Sequence, residues 1–425
     1  MINETNLKIE SNIKIEKNIK VEKNYYPIFI ITLCAAFLFY KYILQIYPSI
    51  ITNQLMQDYH LTGAGLGNLA ATFYYSYIVS QFFVGIILDK YGTRWITTVA
   101  IFGCALGVGL FSQTQTVMGA GLSRALMGVG VSFATVAYMK LASVWFPPHR
   151  YAFVSGLLAT AAMAGAVFGE APLSWIIHHI GWRECLYWVG WAGIILTGLF
   201  LLIVRDRPST TKKKVATPIQ INDVWQVLRN KQNWLLTCYG GLAYSPIAIF
   251  GGLWGNPFLQ QAYHLTQLQA ASLVTLVFIG LGVGSPLLGM LSDSLQDRRN
   301  VMFYSTLLGG LSISLVLYGS FLPLWLVGIL LFTFGFSLGA FMLVFTIGKE
   351  INRAVLTATV IAMINASDAI LDAITEPAIG KLLDWGWDGK IVNGVHYFSL
   401  HSYHLALSVL PIYLGIAALL VLKIK

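Results

Sequence analysis

What this 425-residue chain lacks most is charge: Asp, Glu, Lys and Arg make up only 11% of it, where a soluble domain carries about 25%. Hydrophobic residues supply 56%, and the mean hydropathy is +0.69. The deficit runs along the whole length, which excludes a soluble protein with one large core and implies an integral membrane protein. Cysteine is scarce too. Cys34, Cys104, Cys185 and Cys238 lie far apart with no CxxC pair, so neither a zinc site nor a disulfide framework is indicated. No phosphate-cradling loop, metal-ligand spacing or nucleophile elbow occurs, so enzymatic chemistry, ATP-driven work and a cofactor have no support. The net charge of +9 raises nucleic acid as a candidate partner. Its excess sits in short segments between apolar runs, with no continuous basic domain, and that partner is rejected.

What is present is a series of apolar runs, each long enough to span a bilayer as a helix. Twelve are read, at about 28–53, 62–88, 95–113, 117–142, 151–173, 184–204, 233–258, 268–291, 300–319, 322–347, 354–380 and 403–422. The fold class predicted is all-α, with the bilayer itself as the main partner. A polar tail over 1–24 precedes the first run, which is too long for the h-region of a cleaved signal. With the N-terminus inside, 21 of the 27 Lys and Arg residues fall on the cytoplasmic side. That bias predicts both termini in the cytoplasm. The tail repeats a hexad, "NLKIES", "NIKIEK", "NIKVEK", and is read as a flexible segment attracted to anionic lipid.

A polar stretch over 206–232 divides the runs into six and six, giving an N-terminal bundle at 25–205 and a C-terminal one at 233–425. The halves echo each other. "GIILD" at Gly85–Asp89 returns as "GMLSD" at Gly289–Asp293, offset by 204 residues, and Arg150 returns as Arg353, offset by 203. "GEAP" around Glu170 matches "TEPA" around Glu376, offset by 206. Near-equal offsets indicate a duplicated six-helix unit in parallel orientation.

Two six-helix halves, a cytoplasmic connection and "GIILDKYGTR" resemble the major facilitator superfamily over essentially the whole chain. Gly85, Asp89, Gly92 and Arg94 occupy the Gly-x-x-x-Asp-x-x-Gly-x-Arg pattern between runs two and three. "RALMGVG" is similar to the family's Arg-x-x-x-Gly-x-Gly, with Arg124, Gly128 and Gly130. "VWFPPHRYA" and "VRDRP" resemble a bacterial inner-membrane branch related to lysosomal dipeptide carriers. The resemblance implies the major facilitator fold, an inner-membrane location, a monomer and a central cavity lined by the first helix of each half-repeat. It also implies that Asp89 and Arg94 form a latch closing the cytoplasmic side, with Gly85 and Gly92 permitting close helix approach and a tight turn. Asp293 is what remains of that latch in the second half. The antiporter-associated motif of run five is incomplete: Gly156, Gly165 and Gly169 are present without the Gly-Pro pair. This tilts against drug/proton antiport.

A charge at the centre of a membrane helix costs about 2.5–3.5 kcal/mol, so the few inside these runs are expected to face a cavity or a partner. Lys41 shares a face with Gln45 and is read as a cation that meets solute, or as half of a structural ion pair. Arg124 has two readings, cavity or helix packing, and Lys140 lies near enough to the cytoplasm to snorkel. Tyr74, and Asn256 beside Trp254, could contact solute from runs two and seven. Asp368, Asp372 and Glu376 recur every fourth residue and form one stripe on a helix. The resemblance sets that helix beside run two, at the seam between halves. Together with Glu170 they are candidates to carry a coupling proton, because burial and neighbouring like charge favour the protonated form. Pairing with Lys41, cation binding or plain hydration of Glu376 near the outer end are the alternatives.

These features predict a secondary active carrier working by alternating access, most simply as proton-coupled uptake. The basic cavity residues favour an anionic or zwitterionic solute: a carboxylate-bearing metabolite, peptide, sugar phosphate or polycarboxylate siderophore. Export of an amphipathic compound is the rival within transport. A transport-dead sensor or assembly factor on the same fold is the rival outside it.

Overall fold

The computed structural model describes residues 25–206, 221–319, 322–353, 356–392 and 394–424. The tail at 1–24, with its hexad repeat, and residues 207–220 of the predicted linker lie outside the described residues.

Among the described residues, eleven helices are long and apolar enough to cross a membrane. In chain order spans 1 to 10 are Tyr26–Asp58, Gly63–Tyr91, Thr93–Gln113, Val117–Trp145, Gly156–Ile180, Trp182–Ile203, Lys231–Tyr263, Gln267–Leu295, Arg298–Tyr318 and Leu324–Glu350, and span 12 is Leu400–Val421. Span 11 is Thr357–Trp385, a helix of 29 residues that carries the acidic stripe. Between spans 11 and 12 a two-stranded hairpin pairs Ile391–Val392 with Val395–His396. With the Lys- and Arg-rich side as cytoplasmic, odd-numbered spans run outward and even-numbered ones inward.

Helix ends follow the local sequence. Thr62, Thr116, Asn230, Thr266, Asp297 and Ser399 each accept a hydrogen bond from an amide of the first turn, supplying an acceptor to a donor that the helix leaves unpaired. Spans 1, 5, 7 and 10 depart from α geometry midway. Span 1 tightens into a 3₁₀ turn over Tyr47–Ile51, starting next to Pro48. Span 7 widens into a π turn over Phe250–Trp254, just after Pro246, and span 10 tightens over Gly339–Met342. Prolines remove an amide donor and crowd the preceding turn, and such departures gather where helices must bend. Span 5 breaks at Glu170, where φ is −101° and ψ is −104°, before resuming at Ala171. The predicted run therefore ended too early. Its counterpart, Glu376–Pro377, sits inside an unbroken helix, so at this position the two halves match in sequence but differ in backbone.

Packing explains the glycines of "RALMGVG". A Cβ on Gly128 would lie 2.1 Å from Ser76 Oγ and 2.2 Å from the Phe73 carbonyl, and one on Gly130 would lie 2.5 Å from the Ala100 carbonyl. Span 4 thus presses on spans 2 and 3 backbone to backbone. Spans 2 and 11 pack on each other, as do spans 5 and 8. These two pairs join the six-helix halves.

Candidate functional site: a charged column between the halves

Spans 1 and 11 both run outward, and their polar residues climb in step: Lys41, Gln45 and Ser49 on one, Asp368, Asp372 and Glu376 on the other. The lowest tier holds Lys41, which is only 7% exposed. Its ammonium lies 5.1 Å from the ring centre of Tyr42 and 5.2 Å from that of Tyr77, a cation–π setting. Asp368 shares this electrostatic neighbourhood. Among the described residues, however, no carboxylate comes within 4.0 Å of the Lys41 ammonium. The structural ion pair, the alternative reading of Lys41, is not formed at that distance in this state.

The middle tier holds Arg124 of span 4, 1% exposed and held between spans 1 and 2. Its Nη1 donates to the Leu44 carbonyl at 2.7 Å and its Nη2 to that of Ala70 at 3.3 Å. The guanidinium lies 5.3 Å from the Tyr47 ring centre and 4.7 Å from that of Phe73. Those two carbonyls belong to spans 1 and 2, so Arg124 ties helices together, as the packing alternative anticipated. Gln45 donates to the Tyr74 hydroxyl at 3.3 Å. Asp372 and Glu376 are each 1% exposed, and Asp372 Oδ1 and Glu376 Oε2 find no hydrogen-bond partner among the described residues. Burial overturns the hydrated alternative for Glu376.

The outer tier crosses between the halves. Glu170 is fully buried; its Oε1 accepts from Ser49 Oγ at 2.6 Å and its Oε2 from Asn256 Nδ2 at 2.8 Å. Asn256 also donates to Ser49 at 3.2 Å. Asn256 is thus occupied in joining the halves and presents no free donor to solute in this state. Farther out, Gln54 donates to Gln267 at 2.9 Å. Among the described residues, the ion pairs at the Lys- and Arg-rich end each stay within one half: Asp89 with Lys140, and Arg298 with Asp293 and Glu350. Side-chain hydrogen bonds between the halves thus gather at the end opposite the Lys- and Arg-rich one.

The two charged residues of the motif between spans 2 and 3 take separate partners in this state. Asp89 does not meet Arg94. Its Oδ1 accepts from Lys140 Nζ at 2.7 Å, while Arg94 donates through Nε and Nη2 to the Leu201 carbonyl at 2.9 and 2.6 Å. The physical reason is direction: Arg94 sits in the first turn of span 3, which packs on span 6, whereas Asp89 ends span 2 beside span 4. Lys140, read as a snorkelling side chain, is the true partner. Gly92 does make the tight turn, with φ +89°. Gly85 has nothing within 4 Å of where a Cβ would stand, so it permits no close approach here. Asp293 accepts from Arg298 Nη1 at 3.0 Å, and Arg298 also donates to Glu350 at 2.8 Å.

The Asp89 carboxylate side chain is 75% exposed, so its pair with Lys140 contributes little stability and is readily exchanged for another partner. Asp89→Asn is accordingly expected to leave membrane abundance near the parent's while lowering solute flux severalfold. Flux at matched abundance in vesicles measures this, and an unchanged rate would remove Asp89 from the cycle.

The model of the Major Facilitator Superfamily matches residues 28–375. The chain belongs to that superfamily. Curated relatives are transporters, none of them an enzyme. A probable galactarate/D-glucarate transporter of Escherichia coli is 21% identical over 303 residues, covering 63% of this chain and 67% of that one. A D-galactonate transporter of Escherichia coli is 22% identical over 277 residues, covering 59% and 63%. An uncharacterized transporter of Bacillus subtilis is 26% identical, but the match covers 44% of this chain and 42% of that one. The chain therefore spans between two fifths and two thirds of these relatives' lengths. Among solved structures, a bacterial homolog of the human lysosomal transporter Spinster superposes with a TM-score of 0.74 at 14% identity, covering 95% of this chain and 97% of that one. That likeness establishes the fold.

Sequence reasoning missed Ser49, whose hydroxyl is an ordinary feature of a membrane helix until span 5 breaks beside it. It also missed Asp206 and Asp384, which lie at span ends where a carboxylate normally signals only solvent. Glu170 was reached by its place inside an apolar run and by the "GEAP" and "TEPA" echo.

Proposed function

We propose that the chain is a secondary active transporter taking up a small anionic or zwitterionic solute by alternating access, with protons as the coupling ion. We place it in a bacterial inner membrane as a monomer, with both termini cytoplasmic. The observation that carries this reading is the column itself. Four acids, Glu170, Asp368, Asp372 and Glu376, face two bases, Lys41 and Arg124, at the seam of two helical bundles. Uncompensated charge in a low-dielectric interior is costly, so the column is neutral only when it also holds protons or a cationic group. Lys41 lacks a carboxylate in ion-pair reach and so is free to meet one that arrives as solute. The two named Escherichia coli relatives favour hydroxylated carboxylates as that solute. Arg124, with Nη1 and Nη2 bound to the Leu44 and Ala70 carbonyls, is given the supporting role.

Labelled D-glucarate and D-galactonate in inverted and right-side-out vesicles test the class and the direction of transport. Lys41→Ala is expected to weaken solute binding by tenfold or more. Lys41→Arg should recover only part, because a planar guanidinium fills the space between two tyrosine rings differently and does not readily release its proton. Parent-like affinity in Lys41→Ala would assign the ammonium to structure alone.

A further inference from the structure

Span 2 begins at Gly63, and the first amides of a helix have no partner within it. Thr62 accepts from one of them, Gly65 N, at 3.2 Å. The other two donors go to a residue in the opposite half. Gly63 N donates to Asp384 Oδ1 at 2.7 Å and Ala64 N to Asp384 Oδ2 at 2.8 Å. Both carboxylate oxygens are engaged, and the negative charge sits at the positive end of a 29-residue helix.

Two glycines make the reach possible. A Cβ on Gly380 would stand 2.1 Å from the Gly63 carbonyl, and one on Gly63 would stand 2.7 Å from the Gly380 carbonyl. Spans 2 and 11 touch backbone to backbone at this point, one turn below Asp384. The side chain of Asp384 is 21% exposed, so water competes weakly for its oxygens. His396 of the outer hairpin roofs it, with Nδ1 at 3.9 Å and the ring stacked 3.8 Å from that of Trp387.

The molecule contains a control for this arrangement. Asp206, just after span 6, accepts at Oδ1 from Thr93 N at 2.7 Å and Arg94 N at 2.8 Å. The chemistry is the same, a carboxylate capping the start of a span. Spans 3 and 6, however, lie in one half and move together, whereas spans 2 and 11 lie in different halves. A cap built across the seam breaks whenever the seam opens at that end.

We propose that Asp384 is the latch of the outer gate: its carboxylate caps span 2 while the outside is sealed and leaves that cap each time the outside opens. This rests on the alternating-access reading, and it makes Asp384 a positioning residue that touches no solute. Charge-assisted bonds suit the task because they are directional and can be replaced by water once the rim parts.

The test uses the full chain in lipid nanodiscs, with the exposed Cys238 replaced by Ser. Spin labels at Gln57→Cys and Lys390→Cys, one on each half of the outer rim, report distance by pulsed electron resonance. Asp384→Asn keeps the shape and removes the charge; it is expected to raise the longer-distance population severalfold. Gly380→Ala, which wedges the backbones apart without touching the carboxylate, is expected to do the same. Both variants are compared with the parent at matched monodispersity. A parent-like distance distribution in both overturns the latch, and so does opening in Gly380→Ala alone, which would assign the seal to close packing. Solute flux of the parent is recorded in parallel. A parent that opens but moves no solute refutes transport and leaves the latch standing; a parent that transports while Asp384→Asn stays closed refutes only the latch.

Discussion

Replacing Asp372 by Asn is expected to abolish accumulation of solute against a gradient, by tenfold or more, while exchange of labelled for unlabelled solute survives. Asp372 lies between Asp368 and Glu376 on one helix face, is buried, and has an oxygen without a partner. An ion of that kind in a low-dielectric setting is costly unless it holds a proton or a cation. If the proton it holds is the coupling proton, net uptake requires losing it on one side and regaining it on the other. Exchange does not, because the carrier returns loaded. Asn keeps the size and cannot titrate. Combining Asp372→Asn, and separately Asp368→Asn, with Lys41→Met separates coupling from structure. Were Asp368 a structural partner of Lys41, the single variant would express poorly and the double would recover, since one unpaired buried charge costs more than none. The ammonium lacks a carboxylate within ion-pair distance in this state, so no such recovery is expected. Asp372→Asn that accumulates solute like the parent would end the assignment.

The second large effect is expected at Arg124, on the fold. Arg124→Ala takes donors from the Leu44 and Ala70 carbonyls and a cation from a tier that holds two carboxylates. Removing one partner from a buried charged network typically costs about 3–5 kcal/mol, and a carbonyl left bare inside the bundle adds to that. Membrane abundance and the detergent melting temperature should both fall sharply. Arg124→Lys should recover little, because an ammonium cannot reach two carbonyls on different helices while lying between two rings. Near-parent abundance with lost binding would move Arg124 from the scaffold to the solute site.

The composition alone determined that this is a membrane protein, because an apolar surface in a bilayer needs so few charges that 11% is diagnostic. Run lengths were sufficient for twelve spans and the offsets near 204 for two halves, since a bilayer imposes length and a duplication imposes period. The acidic stripe of span 11 was legible from its four-residue spacing. What each carboxylate meets was not, because partners come from helices hundreds of residues away. Glu170 was visible as an echo of Glu376, yet only the break in span 5 aims it at Ser49 and Asn256. Asp89 was found by motif, but its partner depends on which neighbour each helix packs against, and that is Lys140 on span 4 rather than Arg94 five residues on. Asp384 left no mark in the sequence at all. A carboxylate just past a membrane helix looks like any solvated end, and it becomes a cap only because Gly63 and Gly380 let two backbones touch across the seam.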